Sequence, residues 1–506
     1  YGPRRISNVS KNIYQVKMTD VNGEAIFCDN AEWSLQKDDD NPVLIDSETG
    51  EVTFNGTPKK DARITISAKV PYSEKTASLT VATVDSETYY TDEYLETILK
   101  SAVDNLIEGC KDIYNGTPLL ADGIDLNTGG PLVWQSNQSK SGVMSNFATQ
   151  SSMYAVLDGL SELTGDEKYT KRVDDICKWY INNGMSKTGM GYWGGHTFID
   201  LKTSLKYNAV PNPNIHELKD AFLYLTPFFR IDEQFGKDLV MHTWLGHVID
   251  WKTLLMNRHA SYSKVQNVED WYNTDVAENI TEFMQTFELP FRVTANDLIY
   301  IAGVSYKYSG DTYALSWAKR ILQNYYNLRN EETHIQPNIY GTARDAAGVM
   351  DPMTTVEPFG KWYTRSDAIN YTDTKYGDRF FNQFAEDLVE QGFYPKSVLE
   401  DGNYTLSEGN YLSQYALPYT LLTDLWFAEL IGTDTDDGRY VTEMAVQSYA
   451  GFIKYAWIKG TKRMKQIMAD GTDISNFEPK RNGYYGNYYN TGKKMGTVSY
   501  SDNTYY

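Results

Sequence analysis

Residues 151–184 read SSMYAVLDGLSELTGDEKYTKRVDDICKWYINNG, and this stretch decides the fold class of most of the chain. Apolar side chains recur every three to four positions in both halves, which is the spacing of an amphipathic helix. Gly165 and Asp166 separate the halves. Glycine favours tight turns, so the stretch predicts two helices that fold back on each other.

The same plan recurs further along the chain. Residues 296–330 repeat it with a turn at Gly310 and Asp311, and residues 430–457 contain a looser copy. A helical pair cannot bury its apolar face alone, so repeated pairs predict an array in which neighbours cover one another. We therefore expect residues 89–506 to form a mainly α domain, an (α/α) toroid or barrel of six or seven helical hairpins.

The first part of the chain, residues 1–88, has a different pattern. Short runs rich in β-branched residues, such as EVTFNG at 51–56 and RITISAKV at 63–70, alternate with turn-forming segments. This pattern predicts a small all-β sandwich. The order of its strands and turns resembles the bacterial immunoglobulin-like domains of surface and secreted proteins, and Trp33 is expected to pack in the core.

The composition limits the classes of partner. The net charge of −20, from 67 acidic and 47 basic residues, disfavours nucleic acid and anionic membranes. Forty tyrosines and 11 tryptophans supply flat amphipathic side chains that can stack on sugar rings. The three cysteines form no CxxC motif, so neither a disulfide framework nor a zinc ribbon is indicated.

The sequence also bears on location. It contains no apolar run of about 18 residues, so we expect no membrane span. It begins at Tyr1 without a methionine. We therefore expect a secreted, periplasmic or cell-surface protein whose signal or anchor segment lies outside this sequence.

Long segments between the helical pairs predict a binding cleft. They are rich in glycine, asparagine, tyrosine and tryptophan, and include residues 115–142, 186–198, 334–367 and 482–494. Long structured loops in a compact domain usually carry function, and at one end of a toroid they would line a cleft suited to a polysaccharide. Tyr192, Trp193 and Trp362 are the side chains that we expect to stack on sugar faces, and packing in the core is the alternative for each of them.

Three separate segments hold candidate metal ligands. His196 lies in the glycine-flanked stretch YWGGHTF, Glu217 in NPNIHELKD and His259 in MNRHASYSK. Two imidazoles and one carboxylate suit a first-row transition metal better than calcium, which prefers an all-oxygen cage. These residues are far apart in the sequence, so only the fold can bring them together.

Each of these residues also has a plain structural interpretation. Asn214 followed by Glu217 fits a capping box at the start of a helix. Arg258 and His259 fit a helix C-terminus, where cations offset the negative end of the helix dipole. His242 and His247 fall in an apolar helical stretch and are expected to be packing or surface residues.

The glycine-flanked His196, Glu217 and the adjacent Arg258–His259 pair, on a predicted toroid with aromatic loops, resemble the family 2 polysaccharide lyases, which are pectate lyases. The resemblance covers most of residues 90–506. It implies that His196, Glu217 and His259 bind a divalent transition metal, manganese in the first place, with cobalt or nickel as alternatives. It also implies that Arg258 is the catalytic base.

The resemblance further implies the reaction, which is β-elimination in α-1,4-linked polygalacturonate to give unsaturated oligogalacturonides. A polyanionic substrate requires local cations against the charge of −20. Arg344, Arg365 and Lys361 are the expected substrate-binding cations. Arg258 either takes the proton from C5 or holds a carboxylate while water or hydroxide is the base, because arginine keeps its proton to a pKa above about 12.

Two other functions remain open from the sequence. One is a glycoside hydrolase that uses two loop carboxylates, with Asp345, Asp351 and Glu357 as candidates. The other is a non-catalytic glycan-binding surface protein, which the β-sandwich and the aromatic residues favour. The non-catalytic alternative gives no reason for two histidines, a glutamate and an arginine to fall at these intervals.

Overall fold

The chain folds into two compact units in the computed structural model, one of residues 1–106 and one of residues 107–506. The structure describes residues 2–9, 12–19, 25–28, 30–38, 40–59, 61–71, 76–84, 92–135, 141–208, 215–218, 222–251, 254–256, 259–263, 266–274, 292–327, 329–336, 384–399, 413–461, 463–478 and 493–499. The sequence predicts a domain boundary between residues 88 and 89. The boundary between the compact units lies 18 residues further on, after Leu106.

The first unit is built from β-strands. They are β1 (Arg5–Ile6), β2 (Asn12–Ile13), β3 (Val16–Thr19), β4 (Ala25–Cys28), β5 (Glu32–Gln36), β6 (Val43–Ile45), β7 (Glu51–Phe54), β8 (Arg63–Lys69) and β9 (Thr76–Thr83). One sheet has the order β1-β9-β8-β5, a second has the order β2-β7-β6, and β3 pairs with β4. All of these pairs are antiparallel except β1 with β9.

One apolar core joins the two larger sheets of this unit. Side chains alternate between buried and more exposed along β8, as the two-residue period of a strand requires. Ile64 and Ile66 from β8 pack with Val43 of β6 and Val52 of β7 in a single cluster. Trp33 packs at the edge of this cluster. The first unit is therefore a layered β structure with a shared core.

The second unit contains most of the helices. They follow α1 (Asp92–Cys110), which crosses the boundary and lies mostly in the first unit. The helices of the second unit are α2 (Phe147–Thr164), α3 (Lys168–Asn183), α4 (Thr226–Ile231), α5 (Glu233–His247), α6 (Glu269–Tyr272), α7 (Arg292–Ser309), α8 (Thr312–Asn327), α9 (Phe384–Glu390), α10 (Ser413–Ile431) and α11 (Asp436–Ala456). A 3₁₀-helix covers Lys396–Leu399.

Three helical hairpins match the sequence prediction. They are α2 with α3, α7 with α8, and α10 with α11, and in each hairpin the two helices pack on each other. Gly165 ends α2 with a φ of 72° and donates its N–H to the carbonyl of Ser161. Gly310 has a φ of 66° and donates to Tyr306 in the same way. The left-handed backbone explains why glycine stands at both turns.

Helix α7 is surrounded by other helices of this unit. It packs against α4, α5, α8 and α10. Ala295, Leu298, Ile299 and Ala302 of α7 are fully buried. The mainly helical prediction for this part of the chain is confirmed.

Short strands also occur in the second unit. They are β10 (Trp134–Gln135), β11 (Ser141–Gly142), β12 (Met144–Ser145), β13 (Thr197–Asp200), β14 (Leu205–Asn208), β15 (Ile215–Glu217), β16 (Val248–Asp250), β17 (Leu255–Met256), β18 (His259–Ser261), β19 (Arg463–Lys465) and β20 (Thr497–Ser499). β12, β13 and β14 form a three-stranded antiparallel sheet, and β15 pairs with β18.

The pairing of β15 with β18 corrects the two helical interpretations. Glu217 ends a strand and does not open a helix, so the expected capping box does not form there. His259 begins a strand rather than ending a helix. The local patterns fitted helix ends, but the two segments satisfy their backbone groups by pairing with each other.

Candidate active site

Two glycines bring the loop before His196 against strand β15. Gly194 forms a parallel backbone bridge with Glu217 and has a φ of 111°. A β-carbon at residue 194 would lie 2.5 Å from the carbonyl oxygen of Glu217, and one at residue 195 would overlap its Oε2 atom. Only glycine therefore allows this close approach.

The same approach brings two candidate ligands together. Nε2 of His196 lies 3.4 Å from Oε2 of Glu217. The Glu217 side chain is almost fully buried, whereas that of His196 keeps 23% of its surface exposed. A buried carboxylate beside a partly exposed imidazole is an arrangement in which both groups can turn donor atoms towards one cation.

The third candidate ligand, His259, lies on the neighbouring strand. In the antiparallel pair, Glu217 stands directly opposite His259, His216 opposite Ala260, and Ile215 opposite Ser261. Residues directly opposite in such a pair have β-carbons about 4.5–5.5 Å apart. The backbone register therefore joins two of the three predicted ligand positions. Among the described side chains, which do not include that of His259, no group of three metal-binding residues occurs.

The other face of β15 is occupied by a buried histidine pair. His216 is 1% exposed, and its Nδ1 lies 2.7 Å from Nε2 of His247, at the end of α5. Burial lowers the pKa of His216 to about 4, although the charge of Glu217 opposes that shift. Because successive strand residues point to opposite faces, His216 forms part of the support behind the candidate site.

Trp193 is a packing residue, and its expected role in stacking on sugars is wrong. It is 1% exposed. Its ring centroid lies 4.9 Å from that of Phe147, 5.5 Å from that of Tyr180 and 6.3 Å from that of Phe228. An indole enclosed on all sides in this way has no face left for a sugar.

Tyr192 differs from its neighbour because it is only partly buried. Its ring packs edge-on against Tyr262 at 5.2 Å. Lys206 of β14 lies over both rings, with Nζ 5.2 Å from the centroid of Tyr192 and 5.3 Å from that of Tyr262. Burial lowers the pKa of Lys206. Nothing in the local sequence of Lys206 indicates these contacts, so its position could not be predicted.

The remaining candidates lie outside the described residues. This applies to the expected base, to the four expected substrate-binding residues of the long loop, and to the carboxylates of the hydrolase alternative: Arg258, Arg344, Arg365, Lys361, Trp362, Asp345, Asp351 and Glu357. Their roles stay predictions.

One residue that the sequence analysis missed contacts the glycine loop. The side chain of Asn146 accepts a hydrogen bond from the N–H of Gly194 and donates one to its carbonyl oxygen. Asn146 directly precedes α2, so its sequence position indicates a helix N-cap, but a contact with a loop 48 residues away has no local signal.

Comparison with known proteins identifies the family. Residues 117–500 match the family described as periplasmic pectate lyase. The chain belongs to this family. It is therefore a polysaccharide lyase that degrades pectate, and the resemblance to family 2 polysaccharide lyases is confirmed. The hydrolase and the non-catalytic alternatives lose their support.

Relatives of this pectate lyase family member include a protein of known activity. The pectate disaccharide-lyase of Dickeya dadantii (strain 3937) is 25% identical over 418 residues, which cover 82% of this chain and 70% of the relative. The family implies an acidic polysaccharide as substrate. In the described part of the chain, no helix is long and apolar enough to cross a membrane.

Solved structures resemble this pectate lyase family member only weakly. The cellobiose 2-epimerase from Spirochaeta thermophila DSM 6192 is 10% identical, with a TM-score of 0.32 over 81% of this chain and 94% of the epimerase. The cellobiose 2-epimerase from Bacillus thermoamylovorans B4167 is 12% identical, with a TM-score of 0.33 over 75% and 93%. These similarities do not decide how the hairpins are arranged.

Proposed function

We propose that this chain is a divalent-metal-dependent pectate lyase that cleaves α-1,4-linked polygalacturonate by β-elimination and releases unsaturated oligogalacturonides. Family membership and the pectate disaccharide-lyase relative support the substrate. The observation that carries the metal dependence is the convergence of His196 and Glu217, with His259 opposite Glu217 in the β15–β18 pair.

The residues at this site fit a transition metal. A nearly buried carboxylate oxygen lies 3.4 Å from an imidazole nitrogen, and a second histidine stands at the facing register position. Two nitrogen donors and one oxygen donor suit manganese, cobalt or nickel and leave positions open for substrate. We propose His196, Glu217 and His259 as the ligands and manganese as the metal.

The bound cation would act as a Lewis acid that stabilises the negative charge developing on the substrate carboxylate. The protein must then supply a proton acceptor for C5. Arg258 directly precedes His259, the first residue of β18, in the sequence. We propose that Arg258 either accepts this proton, or binds the carboxylate in a bidentate way while hydroxide accepts it.

Further residues are proposed to bind the sugar chain. The net charge of −20 repels a polyanion, so the cleft needs local cations. We assign this role to Arg344, Arg365 and Lys361, and sugar stacking to Trp362 and to the partly exposed Tyr192.

The proposal extends to the architecture and the location. We propose that the helical hairpins close into an (α/α) toroid of six or seven pairs, and that the β unit is a bacterial immunoglobulin-like domain. The family description supports a secreted, periplasmic or cell-surface location.

One experiment tests the function. Purified protein is incubated with polygalacturonate, with and without EDTA and then with Mn²⁺ restored, and unsaturated product is followed by its ultraviolet absorbance. We expect product that is lost with EDTA and regained with Mn²⁺. His259→Ala should lower the rate by more than about 100-fold, since removing only an outer partner of a ligand typically costs 10–100-fold. Ser261→Ala, two residues along β18, is the matched control and should keep the activity. Full activity in EDTA would refute the metal dependence.

A further inference from the structure

We propose that Asn146 is a positioning residue that holds the Gly194–His196 loop against Glu217 and thereby sets the geometry of the metal ligands. This inference rests on the proposed function, because the ligand set belongs to it. Asn146 is buried, with 3% of its surface exposed, and the hydrogen bonds that its side chain makes to the described part of the loop go to Gly194.

The side-chain amide of Asn146 binds both backbone groups of Gly194. Its Nδ2 donates to the carbonyl oxygen of Gly194 at 2.7 Å, and its Oδ1 accepts from the N–H of Gly194 at 3.1 Å. The same Oδ1 accepts from the N–H of Ala148 at 3.2 Å and so caps α2. One amide therefore joins the first turn of a helix to the loop.

The choice of residue type supports a role beyond the cap. Asparagine, aspartate and serine cap helices about equally well, because the cap uses only a side-chain oxygen. The bond to the carbonyl of Gly194 needs an N–H donor, which aspartate lacks. The pair of hydrogen bonds to the backbone of Gly194 explains why residue 146 is asparagine rather than another capping residue.

The position of Asn146 is itself fixed by neighbouring groups. Its backbone N–H donates to Oδ1 of Asp122 at 2.9 Å. Oδ2 of Asp122 accepts from the hydroxyl of Thr149 at 2.7 Å. The side chain of Gln150 donates to Oδ1 of Asp122 and to the carbonyl of Leu120. These hydrogen bonds fix the start of α2, from which Asn146 contacts the loop.

The loop in turn contacts the proposed ligands. Gly194 bridges to the backbone of Glu217, Gly195 lies against its carboxylate, and His196 follows at once. If the two hydrogen bonds from Asn146 are lost, the backbone of Gly194 and Gly195 gains conformational freedom, because glycine has no β-carbon to restrict it. Support of this kind typically changes metal affinity by 10–100-fold.

The sharpest variant is Asn146→Asp, which keeps the capping oxygen and removes the donor to Gly194. A carboxylate at a helix N-terminus is favourable, so α2 should stay capped. Thr435→Ala is the control, because the hydroxyl of Thr435 caps a different helix, α11, by accepting from the N–H of Gly438. Each variant of the full chain is titrated with Mn²⁺ alone by calorimetry, and hydrogen exchange of the peptide covering residues 190–200 is measured in metal-free protein.

We expect Asn146→Asp to weaken Mn²⁺ binding 10–100-fold and to speed exchange in residues 190–200, with α2 still protected. Thr435→Ala should lower the melting temperature without changing either readout. Unchanged Mn²⁺ affinity in Asn146→Asp, or unchanged exchange at Gly194, would overturn the positioning role while the wild type still binds Mn²⁺. If the wild type binds no Mn²⁺, or if Glu217→Gln leaves its affinity intact, the proposed ligand set fails, and the inference fails with it.

Discussion

Gly195 lies directly against the carboxylate of Glu217, so a β-carbon at residue 195 would overlap Oε2. The φ of Gly195 is not in the left-handed region, so alanine there would meet the Glu217 carboxylate without backbone strain. We expect Gly195→Ala to push Glu217 away from His196. Lyase activity should then fall at least about 10-fold, because residues that orient a metal ligand typically contribute that much. The rate of unsaturated product formation at saturating Mn²⁺ measures this.

Gly159→Ala is the matched control for Gly195→Ala. Gly159 lies inside α2, and a β-carbon there would meet nothing within 4 Å. Alanine should stabilise the helix by about 0.5–1 kcal/mol and leave activity unchanged. Equal activity in both variants would show that the contact of Gly195 with Glu217 does not constrain the site.

The helical hairpins could be predicted because their signals are local. The 3.6-residue period and the turn glycines Gly165 and Gly310 lie within single stretches of sequence, and both agree with the structure. The β15–β18 pair could not be predicted in this way. Each strand has three residues, which is too short for a period, and its partner is remote in the chain.

The site was predictable only in part, for a similar reason. Their residue types and a family resemblance both point to His196 and Glu217, and the structure brings them together. Trp193 was misassigned, because an indole beside glycines looks the same in sequence whether a sugar or Phe147 covers it. Asn146 was missed, since its contact with Gly194 depends on tertiary structure alone.

Truncation to alanine should mainly lower the unfolding free energy at Trp193 and mainly raise the KM at Tyr192. Trp193→Ala removes a fully buried indole and should cost about 3–5 kcal/mol of unfolding free energy. Tyr192→Ala removes a partly exposed ring and should cost less, while raising KM for polygalacturonate. Thermal unfolding and steady-state kinetics measure the two effects. A higher KM with unchanged stability in Trp193→Ala would contradict the packing role.

Breaking a buried ion pair should destabilise the helical unit far more than breaking an exposed one. The guanidinium of Arg292 on α7 binds the carboxylate of Asp424 on α10, and both side chains are almost fully buried. Arg292→Met leaves the carboxylate buried without its cation and should cost about 3–5 kcal/mol. The shift of the thermal unfolding midpoint, followed by helical circular dichroism, measures this.

Lys319 and Asp437 provide the exposed comparison for this ion pair. They join α8 and α11 at 2.6 Å, with side chains 46% and 42% exposed. Lys319→Met should cost no more than about 1 kcal/mol. The double variant Arg292→Met/Asp424→Leu should recover much of the loss, because it removes the buried charge. Equal effects of Arg292→Met and Lys319→Met would contradict the burial argument.

His216 should make the stability of the metal-free protein depend on pH. Burial lowers its pKa to about 4 in the folded state, against about 6.5 in an unfolded chain. Between these values the unfolded chain binds more protons, so stability is complete above about pH 6.5 and falls as the pH drops towards 4. The loss should amount to roughly 2–3 kcal/mol, and His216→Gln should lack it. Urea unfolding at a series of pH values in excess EDTA measures the difference, and parallel curves for the two proteins would contradict a neutral, buried His216.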